Sequence, residues 1–193
     1  MIMSSIELIA VLLGLISVGL TVRQHIACFP VGIVMVILYA YVFYGAKLYS
    51  DMLLQIIYVI LQVWGWYQWT KGSNNNNALP VSWLNNPQRT ASFLAIAITT
   101  LLLGTFMYRQ TDAALPYIDA STTAISLAAQ GMMTYKKIDN WILWIIADIV
   151  YVFVYIERSL PLTAALYAVF LVMAIVGLWT WQREATKLRQ PII

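Results

Sequence analysis

Polar and aromatic side chains recur at helical spacing in an apolar stretch of the chain, residues 138–156. They step by three or four residues and therefore share one helix face: Trp141, Trp144, Asp148, Tyr151 and Tyr155, with Asn140 beside the first. A carboxylate at the centre of a membrane helix costs roughly 2.5–3.5 kcal/mol to insert. Asp148 lies near the middle of the stretch, so we expect it to have a functional role.

Two other apolar stretches carry similar stripes. One contains Gln55, Tyr58, Gln62 and Trp66, and the other contains Asp119, Thr122, Ser126, Gln130 and Thr134. Tryptophan offers a flat face to an aromatic or cationic ring, amides read hydroxyl and carboxamide groups, and Asp148 can neutralise a positive ring. The three stripes predict one water-filled cavity for a small solute that is aromatic, polyhydroxylated or amide-bearing. The carboxylate also allows a cationic solute.

Several of these residues also have structural interpretations. Single Ser and Thr in membrane helices more often bond the backbone or a neighbouring helix, which favours a structural role for Thr122 and Ser126. Asp119 fits a structural salt bridge or simple hydration as well as it fits a site. Tryptophans near the helix ends are typical of an interfacial belt, which is our expectation for Trp69, Trp179 and Trp181.

The composition is that of a membrane protein. Hydrophobic residues make up 62% of the chain and charged residues 10%, against under half and about a quarter in soluble domains. The basic residues are scattered singly, which argues against a nucleic-acid partner, and the one cysteine, Cys28, excludes an internal disulfide. There is no nucleophile with a base and no metal-ligand spacing, so we predict no enzyme, no metal and no cofactor.

The apolar runs predict seven helical spans of the length that a bilayer requires, within residues 6–22, 26–45, 50–69, 91–108, 113–135, 138–156 and 162–181. The first run has no positive stretch or cleavage signal before it, so we expect a retained helix. Residues 70–90 are polar and contain the run Asn74–Asn77 with Pro80 and Pro87, which indicates a linker.

The distribution of positive charge predicts the orientation. Eight Lys and Arg fall on one face: Arg23, Lys71, Arg89, Lys136, Lys137, Arg183, Lys187 and Arg189. The other face has three, Lys47, Arg109 and Arg158. Because positive loops are retained in the cytoplasm, we expect the N-terminus outside and the C-terminus inside.

The two ends of the chain align with each other when Gly65 is placed on Gly177. Trp69 then falls on Trp181 and Tyr39 on Tyr151. This repeat alignment predicts a first three-helix repeat over residues 1–69, a linker with one inversion helix over 70–112, a second repeat over 113–182 and a cytoplasmic tail over 183–193. Both repeats then have the same direction across the membrane, an arrangement known in transporters with a solute site near the midplane.

These residues also resemble a known family. The run Asn140-Trp141-Ile142-Leu143-Trp144, followed by Asp148, is similar to the Asn-Trp-x-x-Trp signature of bacterial PnuC-type vitamin transporters. The segments Leu53–Gln55 and Gly65–Trp69 resemble the third helix of that family, and Asp119 with Ser126 and Thr134 resembles its fifth. The resemblance covers nearly the whole chain.

The resemblance implies an all-α integral membrane protein with seven transmembrane helices in a three-plus-one-plus-three parallel-repeat fold, similar to SWEET sugar transporters. It implies a homotrimer in the bacterial inner membrane that takes up an unphosphorylated vitamin, most often nicotinamide riboside, by facilitated diffusion. A cytoplasmic vitamin kinase would then trap the vitamin. Carried over, the family's binding residues fall on Gln55, Gln62, Gln130, Asn140, Trp141, Trp144 and Asp148.

The substrate stays open at this point. Some nicotinamide riboside carriers have Asn where this chain has Asp148, and both nicotinamide riboside and thiamine carry a cationic ring. The alternatives are therefore a thiamine carrier of the same family and, in another class, a non-transporting membrane assembly or sensor subunit. We expect uncoupled transport, because a fixed counter-charge for a cationic solute explains Asp148 without a proton cycle.

Overall fold

The computed structural model describes residues 5–45, 49–71, 79–111, 115–157, 159 and 161–189. They form seven α-helices: α1 (Ser5–Val22), α2 (Cys28–Gly45), α3 (Tyr49–Lys71), α4 (Asn86–Gln110), α5 (Pro116–Thr134), α6 (Asp139–Glu157) and α7 (Pro161–Arg189). The all-helical prediction is confirmed. The Asn74–Asn77 run, Lys47 and Arg158 lie outside the described residues.

Four of these helices are long and apolar enough to cross a bilayer, namely Ser5–Val22, Asn86–Gln110, Asp139–Glu157 and the Thr163–Lys187 part of α7. Cys28–Val42 is apolar but shorter. The helices α3 and α5 carry the polar stripes, which lower their hydropathy.

Two helix ends differ from the sequence prediction. Helix α4 starts at Asn86 rather than near residue 91 because Asn85 and Gln88 form a reciprocal capping box at its first turn, which satisfies backbone donors that would otherwise lack partners. Helix α7 continues to Arg189, so the polar segment expected to be a tail after residue 182 is helical. Its residues are good helix formers, and the preceding helix nucleates them.

The chain forms two compact units. The first contains α1, α2 and α3 together with residues 134–136 and the end of α7 from Trp179, and the second contains α4, α5, α6 and α7 up to Leu178. Within the first unit α2 packs closely on α3, since the side chains of Phe29 and Gln62 fill the space that a Cβ would take at Gly65 and Gly32.

The turn between α1 and α2 has the same backbone geometry as the turn between α5 and α6. Gln24 and Lys136, which are equivalent positions in the repeat alignment, both have positive φ, 55° and 50°. The hydrogen bonds around them also pair in this alignment: His25 N to Leu20 O with Lys137 N to Met132 O, Cys28 N to His25 O with Asn140 N to Lys137 O, and Phe29 N to Ile26 O with Trp141 N to Ile138 O.

The start of α6 is fastened to the segment that precedes α4. Ile138 N donates to Ser82 O at 2.9 Å, and Lys137 Nζ donates to Ser82 Oγ at 2.8 Å. These contacts lie within the second unit and hold the first turn of α6, which carries Asn140 and Trp141, against residues 81–85.

Candidate functional site

The predicted polar face of α6 points into the protein. Asn140, Trp141 and Asp148 are buried, with Asp148 only 5% exposed, and Trp144 and Tyr151 are half-buried. The apolar residues on the other face are exposed, as expected against lipid: Ile142, Ile146, Ile149, Phe153 and Ile156. The three-and-four spacing therefore predicted the face of this helix correctly.

Asn140 presents a buried acceptor. Its Nδ2 donates to the carbonyl oxygen of Lys137 at 2.6 Å, which fixes the orientation of the amide. Its Oδ1 is fully buried and has no hydrogen-bond partner among the described residues. A buried acceptor without a partner costs about 1–3 kcal/mol, so this oxygen is suited to a hydroxyl or amide donor of a bound solute.

Trp141 is held by close packing against α7. The indole lies so close to Gly177 that its Cδ2, Cε2 and Cε3 atoms would each be 2.7 Å from a Cβ at that residue. Only a residue without a side chain allows this approach of the helix backbone to the ring. Gly177 therefore fixes the plane of one of the two signature tryptophans.

Asp139 organises the start of α6 and was not identified from the sequence. Its Oδ1 accepts from Arg89 Nε at 2.7 Å, and its Oδ2 accepts from the backbone N–H of Leu84 at 2.8 Å. The Arg89 guanidinium also lies 5.4 Å from the centre of the Trp83 ring. Asp139 thus ties α4 and the preceding segment to α6, next to Asn140. Its place in the first turn of a helix was the available signal, since acids are favoured there.

The polar face of α5 meets α6 in the second unit. Tyr151 interacts with the hydroxyls of Thr122 and Ser126, and Thr122 also donates to the carbonyls of Ile118 and Asp119. These contacts agree with the structural interpretation of Thr122 and Ser126. Asp119 is half-buried, and Gln130 is buried further along the same helix.

Asp119 and Tyr151 are brought together at a small cavity of about 70 Å³, which is lined by Ile118, Asp119, Thr122, Tyr151, Val154 and Tyr155. Tyr155 stacks on Tyr151 with 6.1 Å between ring centres and on Tyr167 of α7 with 5.2 Å. Trp144 and Asp148 do not line this cavity.

The α3 residues of the predicted site belong to the first unit. Gln62 is buried against Gly32 of α2, while Gln55 and Tyr58 are half-buried. Trp66 is 39% exposed and so offers much of its ring to the surroundings of the helix.

The expected interfacial belt is wrong for two of its tryptophans. Trp181 is fully buried, and its Nε1 donates to the carbonyls of Thr21 and Val22 at 3.3 and 3.2 Å. Trp69 is also buried, 6.1 Å from Trp181 between ring centres. Trp179, in contrast, is 56% exposed, as a belt residue should be. A position near a helix end does not distinguish a lipid-facing tryptophan from a buried one. Trp181 is buried because its N–H satisfies the last carbonyls of α1, which have no partner within their own helix.

Lys136 joins this aromatic group. Its ammonium lies 4.4 Å from the centre of the Trp69 ring and donates to Gln24 Oε1 at 3.2 Å. Burial lowers the pKa of the Lys136 ammonium, while the neighbouring Cys28 and Glu184 act in the opposite direction. Lys136 therefore packs against Trp69 in addition to contributing to the charge asymmetry that predicts the orientation.

The family model described as nicotinamide mononucleotide transporter matches residues 4–183, nearly the whole chain. The chain belongs to the nicotinamide mononucleotide transporter family. The predicted resemblance to PnuC-type vitamin transporters is thereby confirmed.

Relatives of this chain are named as vitamin transporters. The nicotinamide riboside transporter PnuC of Escherichia coli (strain K12) is 26% identical over 212 residues, covering 96% of this chain and 88% of that protein. The PnuC of Neisseria mucosa is 27% identical, covering 91% and 71%. The riboflavin/roseoflavin transporter RibM of Streptomyces davaonensis is 21% identical, covering 97% and 89%.

A solved relative has the same fold. The crystal structure of the vitamin B3 transporter PnuC is similar with a TM-score of 0.74 at 25% identity, covering 93% of this chain and 81% of that one. This member of the nicotinamide mononucleotide transporter family is accordingly a multi-pass membrane transporter of a small-molecule vitamin. The relatives are named as transporters, which supports the prediction of a non-enzymatic protein.

Proposed function

We propose that this chain takes up unphosphorylated nicotinamide riboside across the bacterial cytoplasmic membrane by facilitated diffusion. A cytoplasmic kinase then phosphorylates the riboside and so traps it in the cell. The observation that carries the proposal is the buried face of α6. On it lie a buried amide oxygen without a partner among the described residues, an indole packed against Gly177, and a carboxylate. The names of the relatives at modest identity support the vitamin class.

The chemistry of the proposed site matches a nucleoside with a cationic ring. Trp141 and Trp144 supply π faces for the pyridinium, and Asp148 supplies its counter-charge. The buried Oδ1 of Asn140, which lacks a partner among the described residues, suits a ribose hydroxyl or the carboxamide N–H. The site as proposed comprises Gln55, Tyr58, Gln62, Trp66, Asp119, Gln130, Asn140, Trp141, Trp144, Asp148 and Tyr151.

The same residues support the proposal that the solute carries no phosphate. None of the residues proposed for the site is Lys or Arg, and both of its charges, at Asp119 and Asp148, are negative. A phosphate group would meet carboxylates without a cation to offset the cost of its desolvation. This favours the riboside over the mononucleotide that gives the family its description.

The proposed architecture is the three-plus-one-plus-three parallel repeat, with all seven helices as spans. The equivalent turns at Gln24 and Lys136 support it, because duplicated segments retain backbone geometry. A second support is that Phe29 packs on Gly65 as Trp141 packs on Gly177, again at equivalent positions of the repeat alignment. The outside N-terminus, the cytoplasmic C-terminus and the homotrimer belong to the same proposal.

Uptake into proteoliposomes tests the substrate. With internal nicotinamide riboside as the exchange partner, we expect saturable entry of labelled nicotinamide riboside, strong competition by unlabelled riboside and negligible competition by nicotinamide mononucleotide. Thiamine and riboflavin serve as the competing vitamins, because one shares the cationic ring and the other is the solute in the name of a relative. Preferential uptake of thiamine or riboflavin would replace the substrate, and uptake of none would leave a non-transporting role.

The second prediction concerns coupling. A pH gradient imposed across proteoliposomes that lack any kinase should not drive nicotinamide riboside above its external concentration, since Asp148 is proposed as a fixed counter-charge rather than a proton carrier. The measurement is the steady-state internal concentration with and without the gradient. Accumulation that disappears when a protonophore collapses the gradient would contradict uncoupled transport.

A further inference from the structure

The end of α7 carries two cations on an exposed face. Arg183 and Lys187 lie four residues apart and one and two turns beyond Trp179, so the three share one side of the helix. All three are exposed. Gln182 and Thr186 lie beside them on the same side of the helix.

The cation nearest the tryptophan is already oriented. The Arg183 guanidinium lies 3.4 Å from the centre of the Trp179 ring, a cation–π contact that restricts the position of its side chain. Thr186 Oγ1 donates to the carbonyl of Gln182 at 3.0 Å. Among the described residues, no carboxylate forms an ion pair with Arg183 or Lys187.

The length of α7 sets the depth of these residues. Its 29 residues extend about 43 Å at 1.5 Å per residue, beyond a hydrocarbon core of about 30 Å. The apolar part ends at Trp181, and the residues from Gln182 onward are mostly polar. Trp179 therefore lies at the level where tryptophan prefers the bilayer interface, and Arg183 and Lys187 follow at the level of the lipid phosphates.

The opposite side of the same turns is buried in the first unit. Trp181 and Ala185 are buried, and Trp181 bonds the end of α1. The exposed side is consequently held in place by a rigid contact on the back of the helix, so the two cations are presented on a fixed surface.

From these observations we infer that Trp179, Arg183 and Lys187 form a binding site for the phosphate headgroup of an anionic phospholipid at the end of α7. The stacked guanidinium and the ammonium bind the phosphate oxygens, and the indole contacts the glycerol region of the same lipid. The site is independent of the proposed vitamin site and does not rest on the identity of the transported solute.

The test is a binding titration of the purified full-length protein in uncharged detergent with short-chain phosphatidylglycerol and, separately, short-chain phosphatidylcholine. We expect phosphatidylglycerol to bind about 30-fold more tightly than phosphatidylcholine, which corresponds to about 1 kcal/mol for each of the two cations. Arg183→Gln with Lys187→Gln should remove the preference. Arg183→Lys should retain part of it, because the charge remains while the stacked fork is lost.

Matched controls separate this site from general charge effects. Arg109→Gln removes an exposed cation at the end of α4 and should leave the preference unchanged. Inorganic phosphate should fail to compete at concentrations similar to the lipid. Equal affinity for both lipids, an equal loss in Arg109→Gln, or full competition by inorganic phosphate would each overturn the lipid site. Vitamin uptake by the double variant reports separately on the proposed function.

Discussion

Replacing Asp148 with asparagine is expected to lower nicotinamide riboside uptake at subsaturating concentration by roughly 10–100-fold, since a charge-assisted contact is worth about 1.5–3 kcal/mol. Asp148 is buried, and it forms no ion pair within the part of the chain that the structure describes. Asparagine retains the size of the side chain and one acceptor oxygen but removes the charge. The loss should therefore appear in KM and in the Kd from titration calorimetry, with some transport remaining.

The matched control for this variant is Ile149→Ala, one residue away on the exposed face of α6. It removes a side chain of similar size from the lipid side and should leave KM unchanged. A folded Asp148→Asn protein with unaltered KM for every cationic vitamin would assign Asp148 to structure instead of solute binding.

Replacing Gly177 with alanine is expected to lower uptake by about tenfold or more and to lower the thermal unfolding temperature. The added Cβ would lie 2.7 Å from three atoms of the Trp141 indole, and the ring is buried and rigid. Overpacking of this kind costs about 1–3 kcal/mol. The ring must tilt or α7 must shift, and in either case the indole loses the position proposed for solute stacking.

Gly131→Ala provides the control, because no side chain from elsewhere in the described part of the chain lies within 4 Å of a Cβ at that position. Alanine is the better helix former by about 1 kcal/mol, so stability should stay equal or rise. In a Trp141→Ala background, Gly177→Ala should no longer lower the unfolding temperature, because the ring that the methyl group would meet is absent. Equal effects of the two single glycine substitutions would contradict the packing argument.

Most of the fold was predictable because the membrane imposes one simple requirement. An apolar run of bilayer length has to be a helix, and the predicted runs agree with the observed helices to within a few residues at most ends. The exceptions have local causes. Capping by Asn85 and Gln88 extends α4 towards its N-terminus, and α7 continues beyond the hydrocarbon because a polar helix is also stable outside it.

The site was predictable where it depended on spacing within one helix. The steps from Trp141 to Asp148 placed these residues on the buried face of α6. Asp139 and Gly177 were missed as site-forming residues, because their roles depend on Arg89 and Trp141, which are distant in sequence. Trp181 was misassigned for the same reason, since its partners are backbone carbonyls of α1.

The aromatic ring packed on a glycine occurs twice at equivalent positions of the repeat alignment, with Phe29 on Gly65 and Trp141 on Gly177. Three groups on α6 have no counterpart on α2. Where α6 has Asn140, Trp144 and Asp148, the corresponding positions of α2 hold Cys28, Gly32 and Val36. A nucleoside has two unlike ends, so a matched pair of binding faces would accept it in two poses. Under the proposed repeat architecture, the divergence of α6 from α2 removes that ambiguity for the proposed solute.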